Sequence, residues 1–84
     1  GIEAQTRLAM ENIKGILAHE GLSWTDVVKV TKYLTDMRDM DGMVATLAGY
    51  FGDWTPASTT VCVNQLSTPG ARVELEMVAV YPKR

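Results

Sequence analysis

Apolar side chains recur with the 3.6-residue period of an α-helix in two segments of the chain. From Glu3 to Glu20 they return to one face, while the charged residues take the opposite face. Gly21 follows this segment, where helices commonly end in a left-handed conformation. Asp36 precedes the second segment as its expected N-cap, and Gly52 ends it. The pattern therefore predicts two amphipathic helices. Their core-facing residues are Ile2, Thr6, Ala9, Met10, Ile13, Ile16 and Leu17 in the first and Met40, Met43, Val44, Leu47 and Phe51 in the second.

Three further segments are rich in β-branched residues or alternate between apolar and polar side chains, as β-strands do. They extend from Val27 to Thr35, from Ser58 to Leu66 and from Ala71 to Tyr81. A turn over Ser67–Gly70 separates the second strand from the third. The order along the chain is α-β-α-β-β, and the 84 residues form one small domain, residues 1–84.

The first strand has two unequal faces, because neighbouring side chains in a strand point to opposite sides. One face is expected to hold Val28, Val30 and Leu34 together with Lys32. The other face is expected to hold Val27, Lys29, Thr31, Tyr33 and Thr35.

The last strand combines an apolar face with a second face that carries both charge and apolar surface. Glu74 and Glu76 occupy this second face, and Val78 and Val80 follow them on it. Desolvating unpaired carboxylates is costly, so the face is not simply buried, and a fully solvated face would not usually end in two valines. We therefore expect a partner subunit or a ligand cleft to close it off. The apolar face holds Ala71, Val73, Leu75, Met77 and Ala79.

Two helices covering one face of three strands leave the other face of the sheet bare and an edge unpaired. Further strands are expected to cover them, either from a missing N-terminal segment or from neighbouring chains. The chain begins at Gly1, beside the start of a helical pattern and without an initiator methionine. We therefore expect an N-terminally truncated domain that assembles into a homo-oligomer.

Composition narrows the classes of function. A net charge of −2 argues against a nucleic-acid partner, which a basic surface would bind. No apolar run approaches the roughly 20 residues that cross a bilayer, so no membrane association is expected. The single cysteine, Cys62, excludes an internal disulfide and fits a reducing, cytoplasmic location. We expect its side chain to be a small buried hydrophobe. One histidine and one cysteine do not make a metal site, and no phosphate-binding loop is present.

Several short stretches, in the same order and at similar spacing, resemble a single protein family. They are Gln5–Lys14, Gly21–Leu22, Asp26–Thr31, Pro56–Ala57 and Val73–Val80. Over essentially all of its length the chain resembles the RidA/YjgF family of reactive-intermediate (enamine/imine) deaminases, also called endoribonuclease L-PSP-like proteins. Members are usually about half as long again and begin with a β-hairpin that has no counterpart here.

The resemblance implies a chorismate-mutase-like α+β fold, in which two helices cover one face of a mixed sheet. It also implies a homotrimer that binds small-molecule ligands in clefts between subunits, without a cofactor. In deaminating members an arginine directly after the Pro-Ala pair binds the substrate carboxylate, and this position is Ser58 here. A glutamate that positions the attacking water corresponds to Glu74, the expected catalytic residue. The cysteine position of the family corresponds to Thr60, so Ser58 and Thr60 are the expected ligand-binding residues; Cys62 is not the equivalent of that cysteine.

Two functions remain open from the sequence. The first is hydrolysis of enamines or imines to carbonyl compounds and ammonia, which needs only a held water. The second is a non-catalytic trimeric ligand-binding or structural role, which the replacement of the arginine by Ser58 favours, since serine cannot make a bidentate contact with a carboxylate. Glu74 has a structural alternative, an ion pair with Arg72 or with another subunit, and Glu76 is interpreted as structural. Trp24 and Trp54 either wall a cleft or cover an exposed edge of the core, and the second interpretation is favoured.

Overall fold

The structure, a computed structural model, describes residues 1–83 and contains two α-helices and three β-strands in the predicted order. A short 3₁₀ turn precedes the first strand and another precedes the second helix, at Trp24–Asp26 and Met37–Asp39. The elements are α1 (Ile2–His19), β1 (Val27–Leu34), α2 (Met40–Phe51), β2 (Ala57–Cys62) and β3 (Val73–Ala79). The predicted α+β class is confirmed. The second strand ends at Cys62, four residues earlier than the predicted Leu66.

The sheet is mixed, and its strand order is β2-β1-β3. β1 is parallel to β2 and antiparallel to β3, so the two strands that follow each other in the chain lie on opposite sides of β1. The connection between them crosses the end of β1, where the Val63 N–H donates to the Leu34 carbonyl at 2.8 Å. The predicted turn is present within it, since the Ala71 N–H donates to the Thr68 carbonyl at 3.0 Å. Within the described residues, β2 and β3 each have one unpaired edge.

Both helices pack against the same face of the sheet. The side chains that they contribute to the core meet Leu34 of β1 and Val73 of β3, and all of these are at most 8% exposed. Met10 and Met43 are fully buried where the two helices face each other across this core. The predicted stripes are therefore correct at Ile2, Thr6, Met10, Leu17, Met43 and Leu47, but Val44 is 42% exposed and Ile16 is 64% exposed. Ile16 lies where α1 passes beside the outer strand β3, which leaves a half-open groove. The core residues are Ile2, Met10, Leu34, Met43, Leu47 and Val73.

A β-bulge corrects the predicted faces of β1. Val27 pairs with Ala79 and Lys29 pairs with Val78, so Val28 is an extra residue without a partner on β3. The extra residue reverses the alternation at the start of the strand. Val27 is fully buried with Val30 and Leu34, whereas Val28 is 40% exposed. The prediction that Val28 shares the face of Val30 and Leu34 is wrong.

The predicted end of α1 is correct, whereas the predicted N-cap of α2 needs a correction. Gly21 has a φ of 70°, and the next residue, Leu22, donates its N–H to the Leu17 carbonyl at 2.8 Å, which closes α1. Asp36 accepts a hydrogen bond from the Arg38 N–H at 2.9 Å. It therefore caps the 3₁₀ turn that leads into α2 and does not cap α2 itself. Among residues 1–83, no helix combines the length and the apolar character that crossing a bilayer would require.

Candidate functional site

The sheet face that the helices leave uncovered carries three regular rows of side chains, which we call the open face. Residues that pair across neighbouring strands point to the same side of a sheet, and directly opposite Cβ atoms lie about 4.5–5.5 Å apart in antiparallel pairs. Each row contains one residue from β2, one from β1 and one from β3. The rows are Ala57, Lys29 and Val78; Thr59, Thr31 and Glu76; and Val61, Tyr33 and Glu74.

Glu74 lies at one end of this open face and is exposed. It is directly opposite Tyr33 of β1, while the neighbouring Glu76 is opposite Thr31. The hydrogen bonds and ion pairs formed among residues 1–83 leave the Glu74 carboxylate without a partner. A carboxylate in this setting is available to accept a hydrogen bond from a water molecule.

The structural alternative that pairs Glu74 with Arg72 is wrong. The guanidinium of Arg72 binds the carboxylate of Asp39 instead, with its Nε atom 3.0 Å from Asp39 Oδ2 and a second contact to Oδ1. The backbone N–H of Arg72 donates to the Gln5 side chain at 2.8 Å, which ties the start of β3 to α1. The sequence did not single out Asp39 as the partner, because the two residues lie 33 positions apart.

Ser58 and Thr60 lie on the opposite side of the sheet from Glu74. Ser58 pairs with Val30, which is 2% exposed beneath the helices, and Thr60 pairs with Lys32. The two predicted ligand-binding residues therefore share the helix-facing side of β2. A single chain does not bring them together with Glu74.

Cys62, on the same strand, is exposed, so the prediction of a buried thiol is wrong. The reason is that β2 is an edge strand, which the helices cover poorly.

A cavity of about 300 Å³ lies between α2 and the β2 side of the sheet. Its walls are mostly apolar, and Ser58 is among the residues that line it. Trp54 also lines the cavity, which corrects the favoured interpretation of this residue as a cover for the core. Its Nε1–H donates to the Val27 carbonyl at 2.8 Å, and this hydrogen bond holds the ring in place. Trp24, by contrast, does cover the core edge, with edge-to-face contacts to Tyr50 and Phe51. The lining residues are Val30, Lys32, Val44, Leu47, Ala48, Phe51, Gly52, Trp54, Thr55, Pro56 and Ser58.

Among residues 1–83, Lys32 is the only charged side chain that lines this cavity, and the sequence pattern alone did not predict it as a site residue. It is partly buried, and this burial lowers the pKa of its ammonium group below the ordinary value for lysine. A signal was present in the sequence, because Lys32 occupies an otherwise apolar strand face. Metal binding has no comparable basis: among residues 1–83 there is no group of three side chains that could ligate an ion.

Fold and site together define an α+β domain whose helices cover one side of a mixed sheet and whose candidate binding residues lie on both sides of it. The family model for endoribonuclease L-PSP matches residues 1–81. The chain therefore belongs to the RidA/YjgF (endoribonuclease L-PSP) family.

Individual relatives agree with this assignment. A RutC family protein of Pyrococcus horikoshii is 45% identical over 78 residues, which are 93% of this chain and 61% of that protein. An Escherichia coli protein named "Putative reactive intermediate deaminase TdcF" is 31% identical over 81 residues, 94% of this chain and 63% of that protein. The crystal structure of a Mycobacterium tuberculosis member of the YjgF/YER057c/UK114 family superposes with a TM-score of 0.91 at 34% identity, covering 96% of this chain and 69% of that one. The chain spans about three fifths of the length of the curated relatives it matches.

Proposed function

We propose that the protein hydrolyses small enamines or imines to carbonyl compounds and ammonia, in clefts between the subunits of a homotrimer. The observation that carries this proposal is the position of Glu74, an exposed residue on the open face whose carboxylate forms no hydrogen bond or ion pair within residues 1–83. The name of the related Escherichia coli protein supports the same reaction class.

The chemistry assigned to Glu74 is simple. Its carboxylate accepts a hydrogen bond from a water and takes a proton as the water oxygen forms a bond to the imine carbon. The electron pair of the C=N bond moves to nitrogen, and the Glu74 carboxyl returns the proton taken from water to that nitrogen. When the resulting amino alcohol collapses, the C–N bond breaks, ammonia leaves and the carbonyl forms. Water is the only co-reactant, so the reaction needs no cofactor.

The positions of the candidate residues on the two sides of the sheet support a cleft between copies. Glu74 lies on the open face, whereas Ser58 and Thr60 lie on the helix-facing side of β2. A site that uses all three residues therefore needs Glu74 from one copy and the β2 edge from another. The open face also exposes Val61 and Val78, whose exposed fractions of 39% and 49% favour contact with a second chain.

A second candidate function rests on Ser58. In place of the guanidinium that deaminating members use, this position offers a hydroxyl group, which cannot bind a carboxylate in a bidentate manner. A trimeric member that binds ligands without hydrolysing them fits this substitution.

An assay of imine hydrolysis distinguishes the two functions. An L-amino-acid oxidase generates the imine in situ, catalase removes peroxide, and semicarbazide traps the imine that remains. The wild-type protein is expected to reduce trapping, and Glu74→Gln is expected to lose about 10²-fold in rate because it removes the base but keeps the shape. Glu76→Gln is the matched control, since Glu76 is also exposed and lies one row away on the same strand.

The melting temperature of each variant is measured on the same preparation. Equal rates for Glu74→Gln and wild type would remove Glu74 from the mechanism. Trapping that the wild-type protein does not change would contradict the hydrolytic function and leave ligand binding without catalysis.

A further inference from the structure

The wall of the cavity beside α2 is mostly apolar, with Thr55 as one polar member, and it has a polar corner. Leu47 and Phe51 of α2 form one side, and Trp54 continues this side into the connection before β2. The corner contains Lys32 of β1 and Ser58 of β2. Lys32 pairs with Thr60, two residues beyond Ser58, so the two polar side chains are diagonal neighbours on the same side of the sheet. A cavity of this kind is suited to a ligand with an apolar body and one charged group.

Lys32 has no anionic partner within residues 1–83. The ion pairs there are His19 with Glu20, Arg38 with Asp36 and Arg72 with Asp39. Asp53 belongs to the connection that borders the cavity, but its side chain is not among the lining residues. Partial burial of an unpaired ammonium group is unfavourable, and the lowered pKa of Lys32 reflects that cost. A bound anion would offset it, because an opposite charge favours the protonated form.

We propose that Lys32 binds the carboxylate of the substrate and takes over the role that Ser58 cannot perform. This inference rests on the proposed function and specifies its substrates: imines and enamines that carry a carboxylate and an apolar side chain. The mostly apolar lining of the cavity favours an apolar side chain on the ligand.

The Lys32 ammonium and the Ser58 hydroxyl can both bind a carboxylate, each in its own way. The lysine ammonium is a point charge with three donors, and it attracts a carboxylate without the fixed bidentate geometry of arginine. The Ser58 hydroxyl can donate one further hydrogen bond to the same group. The apolar wall of α2 and Trp54 then faces the side chain of the ligand. Lys32 is thus a specificity-determining residue, and Glu74 of a neighbouring copy remains the group that acts on water.

Calorimetric titration with 3-methyl-2-oxobutanoate and with its uncharged amide tests the proposal without requiring turnover. The wild-type protein is expected to bind the acid at least tenfold more tightly than the amide, because hydrogen bonds to charged groups are worth that much. Lys32→Gln is expected to lose this preference, and Lys32→Arg is expected to restore it. Lys29→Gln is the matched control: Lys29 lies on the same strand, is exposed, and points to the open face.

Each outcome decides the proposal. Lys32→Gln removes an unpaired, partly buried charge, so its melting temperature should stay the same or rise, and weaker binding cannot then be assigned to unfolding. Loss of acid binding in Lys32→Gln but not in Lys29→Gln supports the proposal even if imine hydrolysis is absent. Equal affinities of Lys32→Gln and wild type overturn it, and so does a wild-type protein that fails to bind the acid at millimolar concentration.

Discussion

Arg72 and Asp39 form a two-contact ion pair that joins the start of β3 to the start of α2. Asp39 is only 6% exposed, whereas the side chain of Arg72 keeps 45% of its surface exposed. The Nε atom of Arg72 lies 3.0 Å from Asp39 Oδ2. The pair therefore holds the helix layer against the sheet at the point where the long connection from β2 returns to the domain.

The unequal burial of the two partners predicts unequal mutational effects. Arg72→Met leaves a buried carboxylate without its partner and should lower the free energy of unfolding by about 3 kcal/mol. Asp39→Asn leaves the guanidinium half in water and should cost less. Urea unfolding at one fixed protein concentration measures both, and the double variant should cost less than the sum. Equal losses in the two single variants would contradict this asymmetry.

The same substitution at two glycines of α2, Gly42 and Gly49, is expected to have opposite effects on stability. A Cβ atom added at Gly42 would lie 2.8 Å from Ile2 Cγ2, whereas one added at Gly49 would meet nothing within 4 Å. Gly49→Ala should stabilise the protein by up to about 1 kcal/mol through helix propensity. Gly42→Ala should instead lower the stability by about 1 kcal/mol, since overpacking exceeds that gain. Thermal unfolding compares them, and a more stable Gly42→Ala variant would show that α1 can move away freely.

Asp36 predicts an acid-sensitive turn before α2. Hydrogen bonds from the Arg38 side chain, and then from its backbone N–H, lower the pKa of Asp36 to about 2. The native state thus binds fewer protons at this site than the unfolded chain. The contribution of Asp36 to stability is complete above the ordinary aspartate pKa and is lost as the pH falls toward 2.

The carboxyl carbon resonance of Asp36 measures this directly in an NMR titration. Arg38→Met removes the guanidinium but keeps the backbone donor, so the midpoint should rise toward the ordinary aspartate value. A midpoint that Arg38→Met leaves unchanged would assign the shift to another cause.

The open face predicts how the protein assembles. We expect the wild type to sediment as a trimer at micromolar concentration, with on the order of 1,000 Å² buried at each contact. Val78→Glu places a charge among the rows of the open face and should shift the protein toward monomer. Leu8→Glu is the matched control, because Leu8 is a 65% exposed hydrophobe on α1, away from this face. A monomeric wild type would contradict the assembly.

Local patterns in the sequence predicted the elements well, because each pattern carries its own physical cause. The helix stripes, the left-handed glycine at Gly21 and the alternation of Val73 with Glu74 depend on residues that are close in the chain. They required no knowledge of which strands pair. The resemblance to the RidA/YjgF family rests on such short stretches as well, and the family assignment is confirmed.

The candidate site was predicted less completely, because its relationships are between elements. The bulge at Val28 reverses the face of Val27, and it exists only through the pairing of β1 with β3. Lys32 became a site residue only when the packing of α2 against the sheet formed an open cavity that Lys32 lines. The exposure of Cys62 follows from the position of β2 at the edge of the sheet.

The sequence by itself thus determined two amphipathic helices, three strands, and the carboxylates Glu74 and Glu76 on one face of the last strand. Only the tertiary structure decided that Arg72 pairs with Asp39, that β1 lies between β2 and β3, and that Ser58 and Glu74 lie on opposite sides of the sheet. The physical reason is the range of the interactions. Side-chain periodicity acts over a few residues, whereas strand order and ion pairing are settled by the burial of surfaces that are distant in the chain.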